Sequence, residues 1–160
     1  MILWKDGPTH GDLKPGALEA ICSGTAIVKR AAAGGLKVAH AGEVNQLACQ
    51  GNLLAMQIME DAKGYLSHAI AALIGFGDPD VVVLGGSVAL QIPNFIEDIE
   101  KRVIQHVYAV QRTNVRIVRA QLGDDSGLIG GAVLAFQVLM SQNNHDGFRK
   151  RQGQESIVSA

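Results

Sequence analysis

Cysteine, aromatic side chains and charge are all sparse in this 160-residue sequence, and each shortage excludes something. Two cysteines, Cys22 and Cys49, are too few for a disulfide scaffold and are not spaced like a zinc clip. Both stand in Ala-rich, helix-like surroundings, where a buried free thiol is the usual role. Lys and Arg number 14 against 15 Asp and Glu, a net charge of −1. No basic field exists to drive phosphate-backbone binding, so nucleic acid is not an expected partner of this segment. The longest apolar run, Ala69 to Gly77, is too short to cross a bilayer, and no membrane partner is expected. Met1 to Asp6 shows no basic stretch leading into an apolar one; no secretory signal is read, and the cytoplasm is the expected location. Neither Gly-x-x-x-x-Gly-Lys-Ser/Thr nor Gly-x-Gly-x-x-Gly occurs, so the common nucleotide cradles are missing. A Gly-x-Ser-x-Gly nucleophile elbow is missing too.

What is there is a folded-protein composition, 48% apolar and 18% charged, enough for one globular core. Ile2 to Trp4 reads as a short strand, and residues 5 to 16, rich in Gly and Pro, as a loop. A helix is expected from Ala17. Ser23-Gly24-Thr25 stops it and caps a second one through Ile27, Val28 and Ala31, which Gly34-Gly35 ends. A short helix is expected over Glu43 to Gln50. Asn52 then caps the longest element, Leu53 to about Ile74, whose apolar positions Ile58, Met59, Ala62, Leu66, Ala69, Ile70 and Leu73 keep a helical period. Gly75 to Pro79 should break it.

Val81-Val82-Val83-Leu84 is apolar without alternation, the pattern of a parallel strand covered on both faces. A helix follows Pro93-Asn94, then a strand over Val115 to Val118, then a final helix from Leu128 to Met140. The order from residue 53 is helix, strand, helix, strand, helix, which predicts an α/β parallel unit. Two strands give too little sheet for three helices, so this sheet is incomplete by itself. Residues 1–140 are expected to fold and the polar 141–160, with Arg149-Lys150-Arg151, to form a disordered tail.

Three segments carry candidate chemistry. Gly85 and Gly86 follow the buried strand; they serve either a tight strand-to-helix turn or a backbone approached closely by a ligand. In Gly123 to Ala132, Asp125 or Ser126 caps the last helix, or Asp124 and Asp125 offer paired carboxylates. Glu19, in Gly16 to Ala26, either favours its helix N-terminus or accepts hydrogen bonds from sugar hydroxyls. His10 and Asp12 lack the further ligands a zinc site needs.

Taken in order, Gly16-Ala17-Leu18-Glu19-Ala20-Ile21-Cys22-Ser23-Gly24-Thr25-Ala26, Asp78 to Ser87, and Leu122 to Ala132 resemble the ROK family of sugar kinases and repressors. The resemblance spans roughly residues 1 to 140. It implies the C-terminal lobe of an actin-like, ribonuclease-H-like ATPase fold, an incomplete sheet flanked by helices. It implies a hexose or amino sugar as ligand, with ATP and magnesium in the complete fold. Glu19 matches the family glutamate that binds sugar hydroxyls, and Gly85 and Gly86 match strand-end glycines near the nucleotide. The family's phosphate loop, catalytic aspartate and Glu-x-Gly-His element would all precede Met1, so no catalytic residue is assigned. His10, Asp12 and Ala17 stand where the family's zinc cysteines would fall; no metal ligand is assigned and zinc is not expected. The expectation is a C-terminal fragment of a glucokinase-like kinase, inactive alone. The alternatives are a sugar-sensing domain of a regulator, or an assembly module pairing with itself or with a separate N-terminal chain.

Overall fold

Asn52 starts the element around which the rest is built. Its Oδ1 accepts from the Ala55 amide at 3.0 Å, satisfying one of the free donors of a helix start. The computed structural model describes residues 1–108 and 115–155, the side chains of residues 124 and 142–155 excepted. Before Asn52 come three short helices: α1 (Leu18–Cys22), α2 (Gly24–Ala33) and α3 (Ala41–Cys49). Ser23 separates the first two as expected, its hydroxyl accepting from the Ala26 amide at 3.2 Å.

Helix α4 (Leu53–Gly77) buries Ile58, Met59, Ala62, Ala69 and Ile70 on the face its period predicted, with Leu66 of that face half-buried and Ala55 buried in addition. Two details differ from expectation. Leu73 points outward, 55% exposed, and Ile74 takes the buried position instead. The helix also runs through Gly75, Phe76 and Gly77, because both glycines are still helical and the stop comes only at Asp78, which turns left-handed (φ 41°) ahead of Pro79.

Strand β1 (Val81–Leu84) pairs in parallel with β2 (Arg116–Arg119), Val82 opposite Ile117 and Leu84 opposite Arg119. Between them lie α5 (Ser87–Gln91) and α6 (Phe95–His106), the crossover a parallel pair needs. Val82, Leu84 and Ile117 pack on the core, whereas Val81 and Val83 are 40% and 59% exposed. The strand read as covered on both faces is covered on one within these residues. Ile2 joins only an isolated antiparallel bridge to Ala17, less than the strand expected there.

The core lies where α4 and α6 cross. Phe95, Ile92, Ile99, Ile27 and Val44 are almost fully buried in it. A buried aromatic or aliphatic side chain of this size stabilises by roughly 1.5–3 kcal/mol. Across the α4–α6 junction, Arg102 grips Glu60 with two bonds of 2.6 and 2.8 Å, and Lys63 pairs with Asp98 at 2.6 Å.

Residues Met1–Gln121 form one compact unit and Leu122–Ala160 another. The second unit is a 3-10 turn at Gly123–Asp125 and helix α7 (Ser126–Glu155). The expected disordered tail falls mostly on residues 142–155, whose side chains are not described, and on 156–160, which lie outside the described residues. Ser126 donates to the Gly123 carbonyl at 2.6 Å, tying the turn to the helix start. No helix among the described residues is long and apolar enough to cross a membrane.

Candidate functional site

Glu19 is aimed by a backbone crossing at the N-terminus. Leu3 donates to the Gly16 carbonyl at 2.9 Å and Leu18 to the Met1 carbonyl at 3.0 Å. Gly16 sits at φ +70°, and a Cβ there would lie 1.6 Å from the Trp4 carbonyl oxygen, so no other residue fits without rebuilding the crossing. Trp4 in turn stacks on Tyr65 of α4, ring centroids 5.4 Å apart, with the Arg30 guanidinium 5.9 Å over its ring. Arg30 also pairs with Asp61. α1 then buries Ala20 and Ile21 and leaves Glu19 exposed on its other side.

Gly85 and Gly86 are aimed by the sheet. The Ala120 amide donates to the Leu84 carbonyl at 2.8 Å, closing the ladder at the end of β1. A Cβ on Gly85 would come 3.3 Å from the Ala120 Cβ, a tight fit. Gly86 adopts φ +85°, which L side chains avoid, and a Cβ there would meet nothing within 4 Å. The chain therefore turns sharply and leaves open space above the turn.

These two supports meet. Glu19 and Cys22 of α1, Ser23 and Gly24 of the helix junction, and Gly85 and Gly86 of the strand end line one cleft of about 400 Å³. Leu66 of α4 and Phe95 of α6 supply apolar wall, and Ser87 a hydroxyl. Glu19 is the charged group of the lining. Cys22 donates its thiol to the Ala62 carbonyl at 3.2 Å, and burial pushes its pKa up to about 12. A thiol so poised stays protonated and is no nucleophile.

A second cleft of about 370 Å³ adjoins the first, sharing Gly24, Ser87 and Val88, and carries Lys29, Thr25 and His40. His40 Nε2 lies 3.5 Å from Glu43 Oε1. Sequence reasoning missed Lys29 and Thr25 as lining residues. Thr25 was read as part of a helix stop, and Lys29 belongs to no motif; only the folded chain brings them to one cleft with Ser87. His10 Nε2 lies 3.3 Å from Thr25 Oγ1. Among the described residues, no group of three or more His, Cys, Asp or Glu side chains could hold a metal. Asp125 belongs to the other unit, and the side chain of Asp124 lies outside the described residues.

Comparison with known proteins gives a consistent result. The sequence model described as "ROK family" matches residues 11–138. The bifunctional enzyme NanE/NanK of Brucella melitensis is 36% identical over 121 residues, covering 74% of this chain and 22% of that protein. An N-acetylmannosamine kinase of Escherichia coli O6:H1 is 34% identical over 129 residues, covering 81% of this chain and 43% of that one. The chain thus spans less than half the length of these curated relatives. Among solved structures, the ROK hexokinase from Thermus thermophilus superposes with a TM-score of 0.75 at 29% identity, over 88% of this chain and 47% of that one.

Proposed function

This chain belongs to the ROK family, and from that premise we propose that it supplies the sugar-orienting and nucleotide-facing surfaces of an ATP-dependent sugar kinase. The observation that carries the reading is the meeting of Glu19 with Gly85 and Gly86 on one cleft, although the sequence separates them widely. The fold agrees, being shared with ROK sugar kinases.

The lining fits the ligands in kind. A carboxylate accepts two or more hydrogen bonds, so Glu19 can hold neighbouring hydroxyls of a hexose and fix which one faces the phosphoryl donor. Leu66 and Phe95 offer apolar surface to the carbon face of a sugar ring or to an N-acyl methyl group. The substrate class is a hexose or an N-acylated amino sugar. Gly85 and Gly86 present backbone amides without a side chain in the way, the requirement of a backbone that approaches phosphates. Lys29 adds a positive charge to the adjoining cleft, which it lines together with Ser87. ATP, when bound, supplies the phosphoryl group, and magnesium travels with its phosphates and waters rather than in a protein cage.

Among the lining residues no second carboxylate stands by to take the hydroxyl proton. The polypeptide of these 160 residues therefore binds sugar without turning it over, since binding groups alone do not assemble a phosphoryl-transfer transition state. Calorimetric titration with glucose and with N-acetylmannosamine tests the reading. The expected result is saturable binding of one of them, weakened at least tenfold in Glu19→Gln, with no sugar phosphate formed from ATP. Binding unchanged by Glu19→Gln, or none to either sugar, refutes the assignment of the cleft. ATP-dependent product from this polypeptide refutes the inactivity.

A further inference from the structure

His68 of α4 and His106 at the end of α6 face each other with ring centroids 4.1 Å apart and planes tilted by 34°. Both are exposed, and neither lines the clefts of Glu19 or Lys29. His68 Nδ1 lies 2.9 Å from the Gly64 carbonyl one turn earlier. A carbonyl can only accept, so Nδ1 carries the proton, and the neutral ring keeps its free lone pair on Nε2. This is the arrangement in which a backbone carbonyl orients a metal-binding imidazole.

We propose that His68 and His106 form a surface chelate for a transition-metal dication of the zinc and copper type, completed by water. Imidazole pairs suit Zn²⁺, Cu²⁺ and Ni²⁺ and do not suit Mg²⁺ or Ca²⁺, which prefer oxygen. With metal–nitrogen bonds of about 2.0–2.1 Å, two imidazoles on one tetrahedral ion have centroids roughly 5 Å apart. The pair, with centroids at 4.1 Å, has to separate by about 1 Å and turn both Nε2 atoms toward one point, a rotamer change open to two exposed side chains.

Two features of the surroundings favour a cation. His106 is the last residue of the 12-residue α6, where the carbonyl end of the helix dipole places negative potential. Among the described residues, Arg102, one turn back on α6, is paired with Glu60, and Lys63 of α4 with Asp98. Those same pairs, with the apolar packing of Ile99 and Val103, hold the two helices in register, so little ordering remains to be done on binding.

The experiment titrates the protein with Zn²⁺ and, separately, with Mg²⁺ in calorimetry, and records the electron paramagnetic resonance spectrum with one equivalent of Cu²⁺. The expected result is one Zn²⁺ bound and no response to Mg²⁺. His68→Ala and His106→Ala each weaken Zn²⁺ at least tenfold, and the Cu²⁺ spectrum loses nitrogen hyperfine lines in each. Because both side chains are exposed, the variants should retain the helical circular dichroism of the parent. His10→Ala and His40→Ala should bind as the parent does, which separates this pair from the other described histidines. No Zn²⁺ binding by the parent protein overturns the proposal. So does binding that survives either His68→Ala or His106→Ala.

Discussion

Replacing Gly16 by alanine tests how Glu19 is held in place. The new Cβ would stand 1.6 Å from the Trp4 oxygen and 2.5 Å from its carbonyl carbon, on a backbone at φ +70°. Ordinary contact lies near 3.5 Å, so the Trp4 carbonyl has to retreat by roughly 2 Å. That retreat removes the Leu3–Gly16 and Leu18–Met1 hydrogen bonds and the Gly7 to Trp4 bond of 3.0 Å. At about 1 kcal/mol each the bonds amount to about 3 kcal/mol, and the left-handed backbone adds about 1–2 kcal/mol for alanine. Gly11→Ala is the control: its φ is +56°, but its Cβ would meet nothing within 4 Å, so only the backbone cost of about 1–2 kcal/mol applies. Trp4 is the sole tryptophan and stacks on Tyr65, so its emission reports this segment directly. Urea denaturation should show Gly16→Ala losing about 3 kcal/mol more than Gly11→Ala, with red-shifted native emission where the segment peels away instead. If emission and midpoint of the two variants coincide, the crossing does not position α1 and the reasoning fails.

Two smaller predictions concern side chains. The Arg102 guanidinium holds the Glu60 carboxyl below its ordinary value of 4.5, a shift caused first by their hydrogen bonds. A depressed carboxylate adds stability above its unfolded pKa and loses it as pH falls through the folded value. Arg102→Met should therefore cost about 0.5 kcal/mol near pH 7, discounted for the exposure of the pair, and progressively less as pH falls below 4.5 and Glu60 takes up its proton. An unchanged gap between those pH values in urea melts would count against it. Cys22, protonated at neutral pH and bonded to Ala62, should resist a disulfide reagent, whereas the exposed Cys49 reacts. Two thiols titrating at similar rates in the native protein would refute that difference.

Local chemistry was readable in the sequence wherever one residue settles one conformation. Asn52 and Ser23 were legible as caps because each needs only its own hydroxyl or amide oxygen and an amide three residues on. Strand β1 was legible because a β-branched run between Pro79 and Gly85 leaves few other readings, whereas the strand expected at Ile2 to Trp4 is only a bridge. Helix α5 was not, since five residues from Ser87 to Gln91 cannot sustain a helix in water and form one only where Ala89 is buried. The outward turn of Leu73 was hidden for a related reason: near a helix end either of two adjacent apolar residues can take the buried place, and packing selects Ile74.

The site itself was legible only as pieces. Spacing gave Glu19 a second, plainer role at its helix N-terminus and gave Gly85 and Gly86 a second role in a turn, and both plainer roles remain true in the fold. What the sequence could not supply is their convergence, which depends on α1 lying against α4 and on the β1 end opening toward the same side. The two halves have separate supports: the Trp4–Gly16 crossing carries Glu19, and the Ala120–Leu84 bond carries the glycine turn. Leu66 and Phe95 line the cleft between them, from α4 and α6, the helices whose packing forms the core. Core packing therefore sets the distance between carboxylate and glycine turn. A cavity-forming change such as Phe95→Ala, with a cost of about 3–5 kcal/mol, should also widen that distance and weaken any ligand spanning both.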